Sequence, residues 1–253
     1  MDRHFNCTAC GKCCQGWLPL TIPDALAHAD RFPLFIMWSP VRQGGKSFAR
    51  TEELGVTVQL KKKKHAAVRM TPFSYVPSGV NCPALLPDGL CAVHETKPQR
   101  CRTMPLSGAR AEDDQGDLLI PKAGWTCDIT ENAPLVYQNK SIVERTEYEA
   151  ELSALKADAT TLKAYGEFML AGNPKVRMDV EKMANNPRGG HVVVNFSTLT
   201  PRLPQVDMFA FAKLQLPIME DFAQRTQSVA ELAKDHARYR ACADAYRRML
   251  DQA

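Results

Sequence analysis

The stretch FNCTACGKCCQG places Cys7, Cys10, Cys13 and Cys14 within eight residues. A segment this rich in sulfur has little apolar area to bury. It must organise itself around cross-links or around metal. Nine cysteines are present in 253 residues, and eight of them, Cys7, Cys10, Cys13, Cys14, Cys82, Cys91, Cys101 and Cys127, lie in the first half. Eight thiolates fill two four-coordinate centres with none left over. Cys242 stands apart in ARYRACADAYRRML and reads as a free, half-buried thiol.

Disulfides or metal is a question of compartment. MDRHFNC has no apolar leader, and the first apolar run, LFIMW, is too short to span a bilayer. A cytoplasmic setting without membrane attachment is therefore expected, where thiols stay reduced and metal ligation is favoured. The formal net charge of +4 is too weak to argue for nucleic acid. That excess sits with the cysteines: residues 1–130 hold 16 Lys and Arg against 12 Asp and Glu, and the remainder is balanced at 16 each.

In C-x-x-C a tight turn brings two sulfurs to one ion. The steps Cys7, Cys10, Cys13 have the spacing that opens bacterial ferredoxin cluster loops. Gly11 allows a positive φ, which turns backbone N–H groups toward sulfur. In an extended segment the adjacent Cys13 and Cys14 point opposite ways, toward two different metals or with one facing a substrate side. In NCPALLPDGLCAVHETKPQRCR, Asp88-Gly89 signals a hairpin that brings Cys82 near Cys91. Cys101 follows a turn or short helix after Pro98, and Cys127 in GWTCD is the eighth ligand candidate. Spacing does not decide which four share a metal. A site with this much negative charge needs cations and N–H donors around it, and Lys12, Lys97, Arg100 and Arg102 are interleaved with the thiols. Lys12, Arg100 and Arg102 are the candidates for contacts to the cofactor.

The series F-x-C-x-x-C-G-x-C-C, C-P-x-L-x-x-x-G-x-C and P-x-x-C-R-T resembles the CxxCxxCC cysteine-cluster family. It is carried by Phe5, Cys7, Cys10, Gly11, Cys13, Cys14, Cys82, Pro83, Leu85, Gly89, Cys91, Pro98, Cys101, Arg102 and Pro105. The resemblance covers about residues 5–130 and implies a zinc- or iron-chelating domain, often an Fe–S protein. A similar signature in enzymes that methylate flagellin lysines links such modules to protein modification by analogy. His94 stands where the family has an aromatic residue and reads as a structural substitution. Lys97 stands where the family has Arg before Pro98.

Elsewhere TIPDALAHADRF reads as a short helix with a Thr21/Asp24 capping pattern and an early Pro23. GVTVQL alternates like a strand, and Lys61–Lys64 reads as a solvated loop or edge guard. EDDQGD lacks calcium-loop spacing and reads as an exposed turn. Residues 141–170 read as a helix opened by a Ser141/Glu144 capping box, followed by a short helix at about 175–184 and a strand at 191–199. Pro217 is expected to precede a final helix from about 218 to 249. No nucleotide loop, paired-His motif or Ser/His/Asp pattern is present.

The sequence thus predicts an α+β protein. Its cysteine-rich loop-and-hairpin metal module spans residues 1–130, and a mainly helical region, 131–253, packs on it or docks a protein partner. The expected cofactor is an Fe–S cluster, of 4Fe-4S type, with zinc ions as the alternative in a non-catalytic interaction module. A small cysteine-rich module leans on its metal, so metal removal is expected to unfold the first half and leave the helical half standing.

Overall fold

The computed structural model describes residues 2–252, with the side chain of Lys62 also outside the description. The fold is α+β, with antiparallel sheets. In chain order the elements are β1 (Arg3–His4), β2 (Leu18–Pro19), α1 (Ile22–Ala27), β3 (Leu34–Arg42), α2 (Phe48–Leu54), β4 (Val56–Gln59), β5 (His65–Ser74) and α3 (Gln99–Thr103). They continue as β6 (Leu135–Gln138), β7 (Ser141–Ile142), α4 (Thr146–Gly172), α5 (Pro174–Asn185), β8 (Val192–Asn195), α6 (Met208–Thr226) and α7 (Ala233–Leu250).

The main sheet runs β2-β5-β3-β8, and β4 pairs with β5 beyond that path. Its backbone is the long β3–β5 ladder, from Leu34 opposite Ser74 to Arg42 opposite Ala66. Both strands contain proline, which removes a ladder donor. Pro40 lies past the end of β8, which pairs only with Phe35 to Trp38. Pro72 falls where the outer side of β5 passes from β4, at residues 65–68, to β2, at 73–74. Neither proline therefore interrupts a two-sided stretch. Phe35, Trp38, Met70 and Phe73 from this ladder share one core with Tyr165 of α4, Val180 of α5, Phe211 and Phe222 of α6, and Tyr239 and Tyr246 of α7. The smaller sheet, β1-β6-β7, has its own cluster of Leu119, Tyr137, Ile142 and Tyr148.

The Thr21/Asp24 capping box forms on α1, with Asp24 N–H donating to the Thr21 hydroxyl at 3.1 Å. The box expected at Ser141/Glu144 does not form. Asn139 and Lys140 both take positive φ, which is the geometry of a two-residue hairpin turn, and Ser141 is drawn into β7 opposite Gln138. The helix begins instead at Thr146, whose N–H donates to the Glu144 carboxylate at 2.7 Å. The single final helix is likewise replaced by two. α6 continues through Pro217, because both Pro217 and Lys213, whose carbonyl the proline leaves free, lie on the exposed face. α6 then stops at Thr226, whose buried hydroxyl turns back to the Phe222 carbonyl at 2.7 Å, and the ring of His236 in α7 meets the Ala223 carbonyl at 2.8 Å.

EDDQGD is more than an exposed turn. Gln115 is fully buried: its Oε1 accepts from Ser107 N–H at 2.9 Å, and its Nε2 donates to the Ser107 and Ala111 carbonyls. Glu112 accepts from Ile142 N–H at 2.9 Å and pairs with Arg145. At the lysine run, Leu60 N–H donates to the Lys64 carbonyl at 2.7 Å, closing the β4–β5 hairpin, and Lys61, Lys63 and Lys64 are exposed.

Candidate metal centre

Four separate stretches carry the eight cysteines of the first half, and backbone pairing brings them together. Residues 5–8 run beside 126–134. Asn6 N–H donates to Asp128 O at 2.8 Å, and Asp128 N–H returns to Asn6 O at 3.0 Å. This short antiparallel bridge brings Cys7 and Cys127, each adjacent in sequence to a bridging residue, into the same region. The chain then turns tightly, with Cys14 N–H on Gly11 O at 3.0 Å. A second bridge, Gln15 opposite Asn81, sets Cys14 beside Cys82, and Cys82 N–H donates to Cys14 O at 2.9 Å.

The turn predicted at Asp88-Gly89 is present. Gly89 has φ +84, and Leu90 N–H donates to the Asp88 carboxylate at 2.9 Å. Cys91 faces Leu85 in an isolated bridge. Leu85 in turn packs over the first loop, where a Cβ added to Gly11 would stand 3.3 Å from its Cδ1. α3 carries Cys101. The first loop holds positive φ at Ala9, Gly11 and Gly16, the kind of backbone that points successive N–H groups into a concavity.

All nine cysteines are free thiols. Those that influence one another fall into two neighbourhoods. Cys127 feels Cys10, Cys7 and Cys13. Cys14 feels Cys82, Cys101 and Cys91, and Cys101 feels Cys82, Cys91 and Cys13. Cys13 sits at the seam and donates a hydrogen bond to Cys14, which raises its own pKa and lowers that of Cys14. Among the described residues, no three Cys, His, Asp or Glu side chains stand close enough as placed to hold one ion.

The first neighbourhood is the more open, with Cys7 and Cys13 exposed. There the Cys10 sulfur accepts hydrogen bonds from the backbone N–H groups of Thr126 and Lys12 and from the Thr126 hydroxyl, which bring its pKa down to about 7. In the second, burial pushes Cys82 up, and burial together with its sulfur neighbours pushes Cys101 up to about 12. All-thiol surroundings with backbone N–H donors suit soft, thiophilic ions such as zinc or iron, and offer nothing to a hard oxygen-seeking cation.

The three cations named from sequence behave differently. Lys12 is exposed, and its backbone N–H rather than its ammonium reaches Cys10. Arg100 is largely buried, acts on Cys101 and Cys13, and pairs with Glu151 at 3.7 Å. Arg102 ties down its own loop, donating to the carbonyls of Lys97 at 3.1 Å and Glu95 at 3.2 Å. His94 is exposed. Cys242 is a free thiol but fully buried rather than half-buried, because α7 packs it into the core shared by the main sheet and the helices. Sequence reasoning missed Thr126, although it adjoins Cys127. It also missed Arg31, which acts on Cys82, and Glu151, which reads as one more solvated helix charge.

The model of the CxxCxxCC family, described as a "putative zinc- or iron-chelating domain", matches residues 6–151, more than half of the chain. The match runs past the last clustered cysteine into α4. No curated protein and no solved structure gives a significant match. No helix among the described residues is long and apolar enough to cross a membrane.

Proposed function

The chain belongs to the CxxCxxCC family of zinc- or iron-chelating domains, and from that premise we propose that it holds two four-thiolate centres. Cys7, Cys10, Cys13 and Cys127 ligate one, and Cys14, Cys82, Cys91 and Cys101 the other. The observation that carries this reading is the pair of backbone bridges, Asn6 with Asp128 and Gln15 with Asn81, which bring distant cysteines beside opposite ends of one loop. Residues 11–14 form a turn rather than an extended segment, so Cys13 and Cys14 are hydrogen-bonded to each other instead of pointing opposite ways, and in this reading they sit at the junction, one sulfur to each centre.

Iron held as Fe–S is the metal chemistry we favour. Ferredoxin-like spacing and N–H donors aimed at the Cys10 sulfur support it, since such hydrogen bonds tune cluster potentials. Bound there, the group supplies one-electron redox chemistry. The chain's own residues hold it, screen it and set its charge, in a protein that transfers electrons or assists a modification reaction. Free thiols throughout fit a cytoplasmic setting.

Protein purified without oxygen tests the choice of metal. Elemental analysis should find iron, and the visible absorption should be broad and should bleach on reduction. Colourless protein with stoichiometric zinc would replace the iron reading with a zinc-stabilised interaction module. Protein with neither metal would remove the proposal altogether.

A further inference from the structure

The small sheet has an open edge just before Cys7 in the sequence. β1 has β6 on one side. Phe5 N–H donates to Pro134 O at 3.0 Å on that side, whereas both backbone groups of Asn6 pair with Asp128 on the other. Backbone groups alternate sides along an extended strand, so those of His4 and Asp2 also face the Asp128 side. They have no backbone partner there among the described residues. The segment opposite does not continue to meet them. Asp128 Oδ1 accepts from the Thr130 N–H at 2.9 Å and from its hydroxyl at 2.8 Å, which turns the chain away. Between β1 and this turn lies a cleft of about 590 Å³, whose other walls are Leu119, Ile120, Ile129 and Glu131. Ile120 is 54 % exposed and Ile129 51 %.

A cleft of this size falls in the range of ligand sites. Unpaired N–H and C=O groups on a strand edge recognise another extended backbone. Two side chains are already tied down: Asp2 accepts from Gln138 Nε2 at 2.9 Å, and the His4 ring meets the Ala133 carbonyl at 2.7 Å. The cleft holds two carboxylates, Asp2 and Glu131, against the one guanidinium of Arg3, and Glu131 is exposed. That balance favours a basic occupant, and the two isoleucines favour an apolar one. We propose that the cleft binds an extended peptide of a protein partner, apolar and basic in alternation, which adds as a strand to the outer edge of β1. Asn6 and Asp128 adjoin Cys7 and Cys127, so the bound peptide is presented beside the more open thiol neighbourhood. Binding of this kind goes beyond the metal reading and requires no particular metal.

A pool of capped pentapeptides in which Val, Leu or Ile alternates with Lys or Arg is passed over the immobilised full chain, and the retained fraction is read by mass spectrometry. Wild type should retain members of the pool, and hydrogen exchange at the His4 amide should slow by about 10-fold or more at saturation. Ile120→Asn and Ile129→Asn should each cut retention by about 5–10-fold through lost apolar contact. Phe168→Asn, at an equally exposed apolar position on α4, should leave retention unchanged. Glu131→Lys should shift retention toward a pool with Glu in place of Lys and Arg. The same peptides N-methylated at every amide cannot donate to a strand edge and should pass through. No retention by wild type, equal retention of the N-methylated pool, or unchanged exchange at His4 overturns the proposal. If the isoleucine variants do not fold, the N-methylated pool and the His4 exchange decide it on wild type alone. Metal content measured on the same protein tests the metal reading separately.

Discussion

Gly11 and Asp158 show how single residues link backbone, burial and function. Gly11 has φ +68 and lies under Leu85, so alanine there meets both a disfavoured backbone and a 3.3 Å contact. Gly11→Ala is expected to cost about 1 kcal/mol locally, and elemental analysis should show lower metal occupancy. Full occupancy would mean that the loop–hairpin contact does not position the ligands. Asp158 sits in α4, buried, with its carboxylate accepting from Ile22 N–H at 2.7 Å. Burial raises its pKa to about 6. The folded state thus binds this proton more tightly than the unfolded chain, whose aspartate titrates near about 3.9. The stability from this group is complete below about pH 4 and is lost as pH rises through about 6. Asp158→Asn keeps the acceptor and removes the charge. It should match wild type at pH 4 and exceed it at pH 7.5 by roughly 1–3 kcal/mol in denaturant titrations. A variant less stable at pH 7.5 would contradict the burial account.

Among the elements, α6 carries a polar side chain that does the work of a strand edge. Gln215 is fully buried. Its Oε1 accepts from Leu34 N–H at 3.0 Å, and its Nε2 donates to the carbonyls of Ala29 at 2.6 Å and Phe32 at 2.9 Å. Gln215→Leu strands three backbone groups, so Tm should fall by roughly 5–10 °C. A fall under about 1 °C would show that water takes over those partners. Local patterns made the capped α1, the Asp88-Gly89 turn and the strand at 192–195 legible, because each is decided within a few residues. The start of α4 departs from the capping-box expectation because the Asn139-Lys140 turn draws the adjoining Ser141 into β7 and away from Glu144. The α6–α7 division was missed for a different reason. Proline's cost depends on which face it occupies, and that is settled by tertiary packing. At the candidate site, the cysteines are read directly from the sequence, but which of them the backbone brings near one another depends on bridges between residues more than 60 apart, which no local pattern encodes.

For the molecule as a whole, the sheet changes what metal removal should do. β3 and β5 of the first half share one apolar core with β8, α6 and α7 of the second, and the cysteine loops lie at its margin, with Cys82 and Cys91 packed against it. The expectation that the whole first half unfolds without metal is therefore replaced by a narrower one. Chelation under reducing conditions should expose residues 5–16, 80–102 and 122–130 to protease while far-UV circular dichroism changes little. Loss of the β3–β5 ladder on chelation would show that the core leans on the metal after all.

The division of the adjacent thiols between two centres is tested most directly by the metal content of Cys13→Ser, Cys14→Ser and the double variant, each purified anaerobically and measured by elemental analysis. Each single variant should lose about half of the wild-type metal, and the double variant nearly all of it. If the double variant retained as much as either single one, both sulfurs would belong to one centre and the two-centre account would be contradicted.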